Sequence, residues 1–328
     1  MNSPPRTHPS AGGAVVASEL SRTYGERRAL EGVSLSVAKG ETFALLGPNG
    51  GGKTTLFRIL ATLLPPSGGS FSIDGLDPAR ELREVRRRLG VVFQAPSVDK
   101  KLTARENLLY GAALYGLGAA AARSRADELL LRLGILDRAA DPVERLSGGL
   151  MRRVEIAKAL LHAPSVLLLD EPSTGLDPGA RRDLRALLAE LARGGTTVLL
   201  TTHLFEEADA ADRIGILDGG RLVAIGPPEE LKARVGGEVI VVEAGGEPDA
   251  VQLAKEIGLF FDGKAGRVAA VGATVRLERR DAHAFVPELV EAFPGRFASL
   301  TLGRPTLEDV FVDATGHAFR EDVQESAR

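Results

Sequence analysis

The chain has 328 residues, of which 44% are hydrophobic, and its 41 basic side chains nearly balance its 44 acidic ones, leaving a net charge of −3. This length predicts about two domains with packed cores. The balanced charge argues against the chain-wide positive field of a nucleic-acid-binding protein, so no nucleic-acid partner is expected. Because the sequence contains no cysteine, disulfides and thiolate metal sites are excluded.

The N-terminal segment 1–13 is rich in proline, serine and glycine and lacks an apolar centre, which indicates a disordered tail rather than a signal peptide. The longest uncharged run, Asn107–Ala122, is too short and too weakly apolar to span a bilayer. Two arginine clusters, Arg86–Arg88 and Arg152–Arg153, are expected on solvated helix faces. These features predict a protein that is soluble or at most peripheral to a membrane.

Residues 14–40 are predicted to form two strands around Ser21–Arg28, with Tyr24 in a polar turn. Two interpretations of Tyr24 are open from its position alone. It is either a half-buried strand residue or an aromatic surface on which a nucleobase stacks.

A glycine-rich stretch follows the next predicted strand, Thr42–Leu46, and precedes a helix predicted over Lys53–Leu64. It fits the pattern G-x-x-x-x-G-K-[ST], in which backbone N–H groups surround a triphosphate at a helix N-terminus. In this pattern Lys53 neutralises the β- and γ-phosphates, and the Thr54 hydroxyl holds Mg²⁺. The candidate phosphate-binding residues are Gly47, Pro48, Asn49, Gly50, Gly51, Gly52, Lys53, Thr54 and Thr55.

The next elements are a strand, Ser70–Ile73, a helix, Ala79–Leu89, and a strand, Val91–Phe93, which ends just before Gln94. In open parallel sheets, polar groups at strand ends face the ligand, so Gln94 is a candidate site residue. A glutamine is also common on protein surfaces, and that interpretation stays open.

The segment of about 95–163 is rich in predicted helix and interrupts the alternation of strands and helices, which indicates an inserted helical subdomain. Its predicted helices are Thr103–Leu117, Ala120–Leu133 and Leu150–His162. The sequence Leu146–Gly149 precedes the third helix, with Ser147 placed to cap it. This arrangement predicts either a second anion-binding helix end or an ordinary capped helix.

The apolar run Val166–Leu169 predicts a buried strand that delivers two carboxylates, Asp170 and Glu171, at its end. Asp170 is suited to the Mg²⁺ shell, and Glu171 is suited to polarising a water molecule. Another buried strand, Thr196–Thr201, follows a helix predicted over Gly179–Arg193 and ends just before His203, at the edge expected to carry Gln94. Together these elements predict an α/β fold.

Residues 236–328 follow a different pattern, with elements in the order β-α-β-β-α-β, which predicts a small ferredoxin-like α+β domain. The predicted strands are Val239–Glu243, Arg267–Val271, Thr274–Glu278 and Phe297–Leu302. The sequence Thr306–Asp309 is a capping box that opens a short helix, on which Leu307, Val310 and Phe311 share one face. This helix is interpreted as a docking helix rather than a catalytic element.

The glycine-rich loop, the sequence Leu146–Gly149 and the strand before Asp170 together resemble an ABC-type ATPase over roughly Val15–Val235. The Leu-Ser-Gly-Gly signature is specific to that family among phosphate-loop proteins. The resemblance implies an ATP-binding domain over residues 14–235, which uses ATP and Mg²⁺, and an accessory or regulatory domain over residues 236–328.

The resemblance also implies roles around the nucleotide. Tyr24 stacks on adenine, and Gly47–Thr55 hold the phosphates. Asp170 serves Mg²⁺ together with Gln94, which also senses the attacking water and couples to a partner. Glu171 acts on that water.

Residues near the γ-phosphate and the dimer interface follow from the same resemblance. His203 contacts the γ-phosphate, whereas Ser147, Gly148 and Gly149 contact the γ-phosphate of nucleotide held by the other protomer. Asp177 lies at the dimer interface. Since each complete site needs a loop and a signature from opposite protomers, the resemblance implies a head-to-tail dimer that sandwiches two ATP molecules.

The sequence departs from the family pattern in two places. Leu150 stands where the family often has glutamine, and Gly50–Gly52 puts three glycines where one residue is commonly alanine or serine. We hypothesise that the extra backbone freedom weakens nucleotide affinity by up to about 1 kcal/mol.

The segment Pro305–Thr315 resembles the C-terminal end of ATP-binding subunits of bacterial drug exporters of the daunorubicin-resistance type. This resemblance implies a motor subunit at the cytoplasmic face of the membrane that drives a separate permease. The alternative is a soluble ABC ATPase that acts on ribosomes or nucleic acid, which the single nucleotide-binding domain and the absent basic stripe disfavour. A GTPase switch is excluded because no asparagine is followed by lysine.

Overall fold

A computed structural model describes residues 12–319, which form two compact units that meet in sequence between Leu222 and Val223. Apart from Gly12 and Gly13, the tail predicted over residues 1–13 lies outside the described residues. Each unit has its own sheet and its own buried apolar side chains.

The first unit is built around a six-stranded sheet with the strand order β5-β6-β7-β3-β8-β9, and the boundary between the units falls within the last of these strands, β9. The strands are β3 (Thr42–Leu46), β5 (Leu89–Val92), β6 (Val166–Asp170), β7 (Thr197–Thr202), β8 (Arg213–Asp218) and β9 (Arg221–Gly226). The pairs that join β5, β6, β7, β3 and β8 are all parallel. Because these strands are buried, they are almost continuously apolar, and their carboxyl ends lie at one edge.

A second, antiparallel sheet of the first unit has the order β2-β1-β4. Its strands are β1 (Val15–Tyr24), β2 (Arg27–Val37) and β4 (Gly68–Ile73). The predicted strand pair is present, and its turn contains Gly25 with a φ of 57°. Tyr24 is the last residue of β1 and pairs with Arg27, rather than lying within the turn as predicted.

Helix α1 (Lys53–Leu60) follows the glycine-rich loop, and its predicted end was wrong by one turn. The helix stops before Pro65 because Thr62 adopts a left-handed φ of 61° and reverses the chain. The amides of Leu63 and Leu64 then donate to the Arg58 carbonyl at 2.9 and 3.2 Å. The left-handed turn at Thr62, rather than Pro65, therefore ends this helix.

The remaining helices of the first unit are α2 (Pro78–Arg88), α3 (Ala104–Leu114), α4 (Ala119–Arg132), α5 (Gly148–Ala159), α6 (Pro178–Arg193) and α7 (Phe205–Asp209). The three helices predicted between residues 95 and 163 are present as α3, α4 and α5. A capping box at Thr103 and Glu106 fixes the start of α3. Helices α3, α4 and α5 pack on one another, so the segment forms a helical layer of its own.

The second unit contains β10 (Glu238–Glu243), α9 (Glu247–Phe261), β11 (Arg267–Val271), β12 (Thr274–Arg279), α10 (Ala282–Ala292) and β13 (Ser299–Gly303). Its sheet is antiparallel with the order β11-β12-β10-β13. Side chains of β10 and β12, such as Ile240 and Leu277, form a buried core with Leu253 of α9 and Phe285 of α10. The predicted β-α-β-β-α-β order is therefore present.

Two more helices, α8 (Pro228–Val235) and α11 (Leu307–Thr315), complete the second unit and pack on each other. The predicted capping box is present: Thr306 accepts from the Asp309 amide at 3.3 Å, and Asp309 accepts from the Thr306 amide at 2.7 Å. Asp309 also pairs with the buried guanidinium of Arg276 at 2.6 Å. The predicted apolar face of α11 is buried, which agrees with a docking helix.

Candidate active site

The glycine-rich loop joins β3 to α1 in a conformation that requires several of its glycines. Gly50 and Gly52 have φ values of 77° and 107°, in the left-handed region that favours glycine. A Cβ at Gly47 would lie 2.2 Å from the Leu217 carbonyl oxygen, so only glycine fits there. Gly51 has no such φ, and its Cβ would lie 3.1 Å from two carbonyl oxygens.

The first turn of α1 is open to an anion. Gly52 is its N-cap residue and offers no capping side chain, so the first amides and the positive end of the helix dipole face the loop. A cleft of about 240 Å³ lies at this point and is bordered by loop residues from Pro48 to Thr55, by Tyr24 and Arg27, and by Glu171. Such a cleft suits a polyphosphate.

Lys53 is buried, only 4% exposed, and its ammonium group is held inside the loop. Its Nζ donates to the carbonyl oxygens of Gly47 at 2.7 Å and Pro48 at 3.1 Å. Burial lowers the pKa of Lys53, and the carboxylates of Glu171 and Asp170 oppose that shift. The positive charge therefore lies at the base of the cleft, where phosphate oxygens would compete for it.

Asp170 ends β6, and Thr201 of the neighbouring strand β7 holds it. The Thr201 hydroxyl donates to Asp170 Oδ1 at 2.6 Å. Burial raises the pKa of Asp170, and this hydrogen bond opposes the rise. No cluster of three acidic or histidine side chains that could hold a metal occurs within residues 12–319. Asp170, Thr54 and Gln94 would supply the protein ligands for Mg²⁺ here, with the rest from phosphate and water, which suits its preference.

Glu171 has a left-handed φ of 44°, which is rare for a residue with a Cβ. Its amide donates to the Thr201 carbonyl oxygen at 3.1 Å and lies 3.0 Å from the Thr201 hydroxyl oxygen. Strain of this kind is common at functional sites. Thr201 therefore fixes both Asp170 and Glu171, although the sequence predicted it only as a residue of a buried strand.

The carboxylate of Glu171 is the meeting point of the predicted catalytic residues. Oε2 accepts from Gln94 Nε2 at 3.3 Å and lies 3.3 Å from His203 Nδ1, while Oε1 lies 3.6 Å from Lys53 Nζ. The Thr174 hydroxyl also donates to Oε2 at 3.3 Å and was not anticipated. The hydrogen bond with His203 is the main cause that lowers the pKa of Glu171, so this carboxylate is ionised at neutral pH.

Tyr24 lines the same cleft as Glu171 and is 44% exposed. The Arg22 guanidinium lies 4.9 Å from the centre of its ring, a cation–π distance that restrains the ring. Arg27, which the sequence did not single out, approaches the Gly50 carbonyl oxygen at 3.5 Å. This location favours the nucleobase interpretation of Tyr24.

The signature residues lie at a second cavity of about 300 Å³, which includes Ser147, Gly149 and Asp177 in its lining. Ser147 caps α5 by accepting from the Leu150 amide at 3.3 Å. A Cβ at Gly149 would lie 3.0 Å from the Ala180 Cβ, so glycine allows α5 and α6 to approach. Among the described residues, the linings of this cavity and of the cleft share no member. The signature therefore lines a cavity that is separate from the cleft at the phosphate loop.

Asp177 caps the N-terminus of α6, a role that was not predicted from the sequence. Its Oδ1 accepts from the amides of Ala180 at 3.0 Å and Gly179 at 2.9 Å, which caps α6 and lowers the pKa of Asp177. An Asp two residues before a predicted helix start was the signal for this cap.

The expectation for Arg152 was wrong. Arg152 is only 6% exposed and pairs with buried Glu155 at 2.8 Å, rather than lying on a solvated face. Arg153, its neighbour, donates to the Leu133 carbonyl at 3.0 Å. In the sequence, the only indication that Arg152 is buried was Glu155, three residues later. A buried charge normally has a partner of opposite charge, and Glu155 is placed to be that partner.

These features define a phosphate-loop nucleotide hydrolase: an open helix end behind a glycine loop, a buried lysine, and an ionised carboxylate just after β6 of the same sheet. The family model for ABC transporters matches residues 30–174, which include the loop, the signature and Glu171.

Similar proteins extend this match over nearly the whole chain. The daunorubicin resistance ATP-binding protein DrrA3 of Streptomyces coeruleorubidus is 42% identical over 328 residues, covering 96% of this chain and 99% of the relative. The linearmycin resistance ATP-binding protein LnrL of Bacillus subtilis (strain 168) is 33% identical over 319 residues, covering 93% and 99%.

Solved structures agree with the fold. CbiO1 from Clostridium perfringens, part of the ABC transporter complex cbiONQ, has a TM-score of 0.64 at 29% identity and covers 76% of this chain and 95% of its own. The ATP-binding cassette MJ0796, solved as a dimer in a post-hydrolysis state with ADP and Pi, has a TM-score of 0.59 at 31% identity, with coverages of 65% and 98%. The chain belongs to the ATP-binding subunits of ABC transporters and is an ABC-type ATPase, which confirms the family resemblance.

Within the part of the chain that the structure describes, no helix is both long and apolar enough to cross a membrane.

Proposed function

We propose that this chain is the ATP-hydrolysing motor subunit of an exporter and that it drives a separate membrane permease from the cytoplasmic face. The convergence of Lys53, Gln94 and His203 on the Glu171 carboxylate carries the motor assignment. Relatives named for resistance to daunorubicin and linearmycin, and for export of Nod factor, support export and drug resistance.

In the proposed mechanism, the chain holds ATP by its base and its phosphates. Tyr24, restrained by Arg22, stacks on adenine, and the amides of Gly50–Thr55 bind the phosphates. Lys53 turns from its loop carbonyls to the β- and γ-phosphates. Thr54, Gln94 and Asp170 would hold Mg²⁺, which would supply positive charge to neutralise the phosphates.

Glu171 is the proposed base. Its ionised carboxylate accepts a proton from the water that attacks the γ-phosphorus, and Gln94 and His203 orient that water and the γ-phosphate. Thr201 keeps Glu171 in its left-handed conformation, which preorganises the carboxylate for this role.

Two copies of the chain are proposed to share two sites head to tail. The cleft and the signature cavity are separate within one chain, and each chain has one of each. Ser147, Gly148 and Gly149 of one copy would present the N-terminus of α5 to nucleotide in the other, with Asp177 beside them. The dimeric form of the similar cassette MJ0796 supports this arrangement.

A groove beside the Gln94 segment is the proposed contact for the permease. It has a volume of about 490 Å³ and includes Phe93, Leu63, Leu114 and Tyr115. Leu63, Leu114 and Tyr115 are at least half exposed, at 57%, 86% and 50%. Because Phe93 precedes Gln94, a permease segment in this groove would contact the chain next to the hydrolysis site.

Residues 14–235 are proposed as the ATP-binding domain and 236–328 as an accessory or regulatory domain. The order β11-β12-β10-β13 with two helices on the core face supports a ferredoxin-like assignment for the latter.

Purification of the tagged chain from native membranes, followed by identification of the proteins that accompany it, tests the function. We expect a polytopic permease whose addition raises ATP turnover. Recovery with ribosomes or nucleic acid, in a salt-sensitive manner, would instead support the soluble alternative.

A further inference from the structure

Three charged side chains of α5 lie along the segment that carries Gln94. Arg152, Glu155 and Lys158 are spaced three residues apart and therefore share one side of the helix, and we call them the α5 stripe. Arg152 and Glu155 are 6% and 2% exposed and form an ion pair at 2.8 Å.

Arg152 holds the first end of the segment Phe93–Ser97. Its Nη1 donates to the Phe93 carbonyl oxygen at 2.9 Å, and its Nη2 lies 3.5 Å from the Gln94 carbonyl oxygen. The same Nη1 donates to Glu155, so the guanidinium is fixed between the helix and the segment.

Glu155 and Lys158 hold the other end. The Ser97 amide donates to Glu155 Oε1 at 2.7 Å, and Lys158 Nζ donates to the Ser97 carbonyl oxygen at 2.7 Å. Residues 93–97 belong to no helix or strand. Side chains of α5, rather than a sheet ladder, therefore fix the backbone from which Gln94 reaches Glu171.

A buried ion pair is a demanding way to hold a loop. Burial raises the pKa of Glu155, and the charge of Arg152 opposes this rise. Buried pairs can often be replaced by apolar packing without loss of stability, so they are poor evidence of a stabilising task alone. Here each member of the pair also makes a hydrogen bond with the backbone of the segment that carries Gln94: Arg152 donates to Phe93, and Glu155 accepts from Ser97.

We propose that Arg152 is a positioning residue for Gln94, and that the α5 stripe transmits the position of the signature helix to the contact between Gln94 and Glu171. This inference rests on the role proposed above for Gln94. Since α5 begins at the signature, a displacement of its first turn by nucleotide from the partner copy reaches Gln94 through the stripe. A misplacement of about 1 Å near reacting groups lowers a rate by up to about 100-fold, so the coupling matters for turnover.

Hydrogen exchange tests the anchoring. In Arg152→Gln, the amides of Phe93, Gln94, Ala95 and Ser97 should exchange at least about tenfold faster than in the wild type, because the segment opens more readily. Because this change leaves Glu155 buried without its counter-charge, the double variant Arg152→Gln/Glu155→Gln is measured in parallel. Arg125→Gln is the matched control: its guanidinium donates to the carbonyl oxygens of Leu160 and Leu161 beyond the far end of α5. Unchanged exchange at 93–97 in both α5 variants would overturn the proposal.

Steady-state kinetics test the coupling to Gln94. Arg152→Gln should lower kcat about tenfold with KM for ATP changed less than about twofold, and Arg152→Lys, which keeps the charge, should recover part of kcat. In a Gln94→Ala background, Arg152→Gln should cause no further loss, because its effect passes through Gln94.

Losses that multiply in the double variant would overturn a positioning role. A Gln94→Ala variant with wild-type turnover would instead overturn the proposed function of Gln94 and the coupling with it, while the exchange measurement still decides whether Arg152 anchors the segment.

Discussion

The Lys53 ammonium group and the Glu171 carboxylate face each other at 3.6 Å across the base of the cleft, although they belong to different strand–helix units. Lys53 is also tied to two loop carbonyls, and Glu171 is also bound by Gln94 and Thr174. Both groups are therefore held in place at the base of the cleft by several contacts. Binding of a triphosphate would divide them, with Lys53 moving to phosphate and Glu171 left to act on water.

Glu171→Gln should retain ATP binding and lower turnover by about 10²–10⁴, since the amide cannot accept the proton of the attacking water. With saturating Mg-ATP, this variant should run as a dimer in gel filtration. Glu84→Gln, which removes a carboxylate from the exposed pair with Arg87, is the matched control and should be unaffected. Full turnover in Glu171→Gln would remove Glu171 from the role of base.

His203→Ala should shift the acid limb of the pH–rate profile toward higher pH. In the wild type, the hydrogen bond with His203 keeps the pKa of Glu171 below its ordinary value of 4.5, so the carboxylate stays ionised as the pH falls. Without His203 the pKa rises and protonation begins at higher pH.

The folding stability should also fall as the pH falls. The contribution of a carboxylate whose pKa is lowered on folding is present above its ordinary pKa and is lost as the pH falls through the folded value. The measurement is kcat and thermal unfolding of both proteins between about pH 4 and 8, a range that includes the acid limb of the rate profile. Identical acid limbs would show that His203 does not set the ionisation of Glu171.

Thr201→Val should destabilise the first unit by about 1–3 kcal/mol, because it removes the hydroxyl partner of buried Asp170 and one contact of the Glu171 amide. It should also lower turnover. Thr197→Val on the same strand removes the acceptor of the Gly40 amide and serves as control. Urea unfolding and ATPase assays should show a loss of stability in both variants but a loss of turnover only in Thr201→Val. Equal turnover in the two variants would contradict a role for Thr201 in placing the carboxylates.

A chain that ends after Val235 should bind ATP with unchanged affinity. This truncation removes α11, which packs on α8. We expect it to expose Leu231 of α8, which is 1% exposed in the full chain. We expect self-association of the truncated chain, which Leu231→Lys should relieve. Fluorescent-nucleotide titration and gel filtration provide the measurements. A loss of nucleotide affinity would place the functional boundary elsewhere.

Much of the site could be predicted because it depends on short segments of the chain. The glycine loop, the apolar strand before Asp170 and the capping box at Thr306 each combine backbone geometry and side-chain chemistry within about ten residues. Element order in the second unit was predictable for the same reason. The end of α1 was not, because a left-handed threonine is favoured by nothing in the local sequence.

The sequence by itself determined the family, the phosphate loop, the identity of the carboxylate at the strand end and the presence of a second, differently patterned unit. Only the tertiary structure decided which side chains hold that carboxylate, because Thr201, Gln94 and His203 reach Glu171 across neighbouring strand ends that are far apart in sequence. The same holds for Arg152, whose exposed or buried state depends on what packs over α5. Local patterns encode conformation and chemistry, whereas burial and long-range partners are properties of the packed chain.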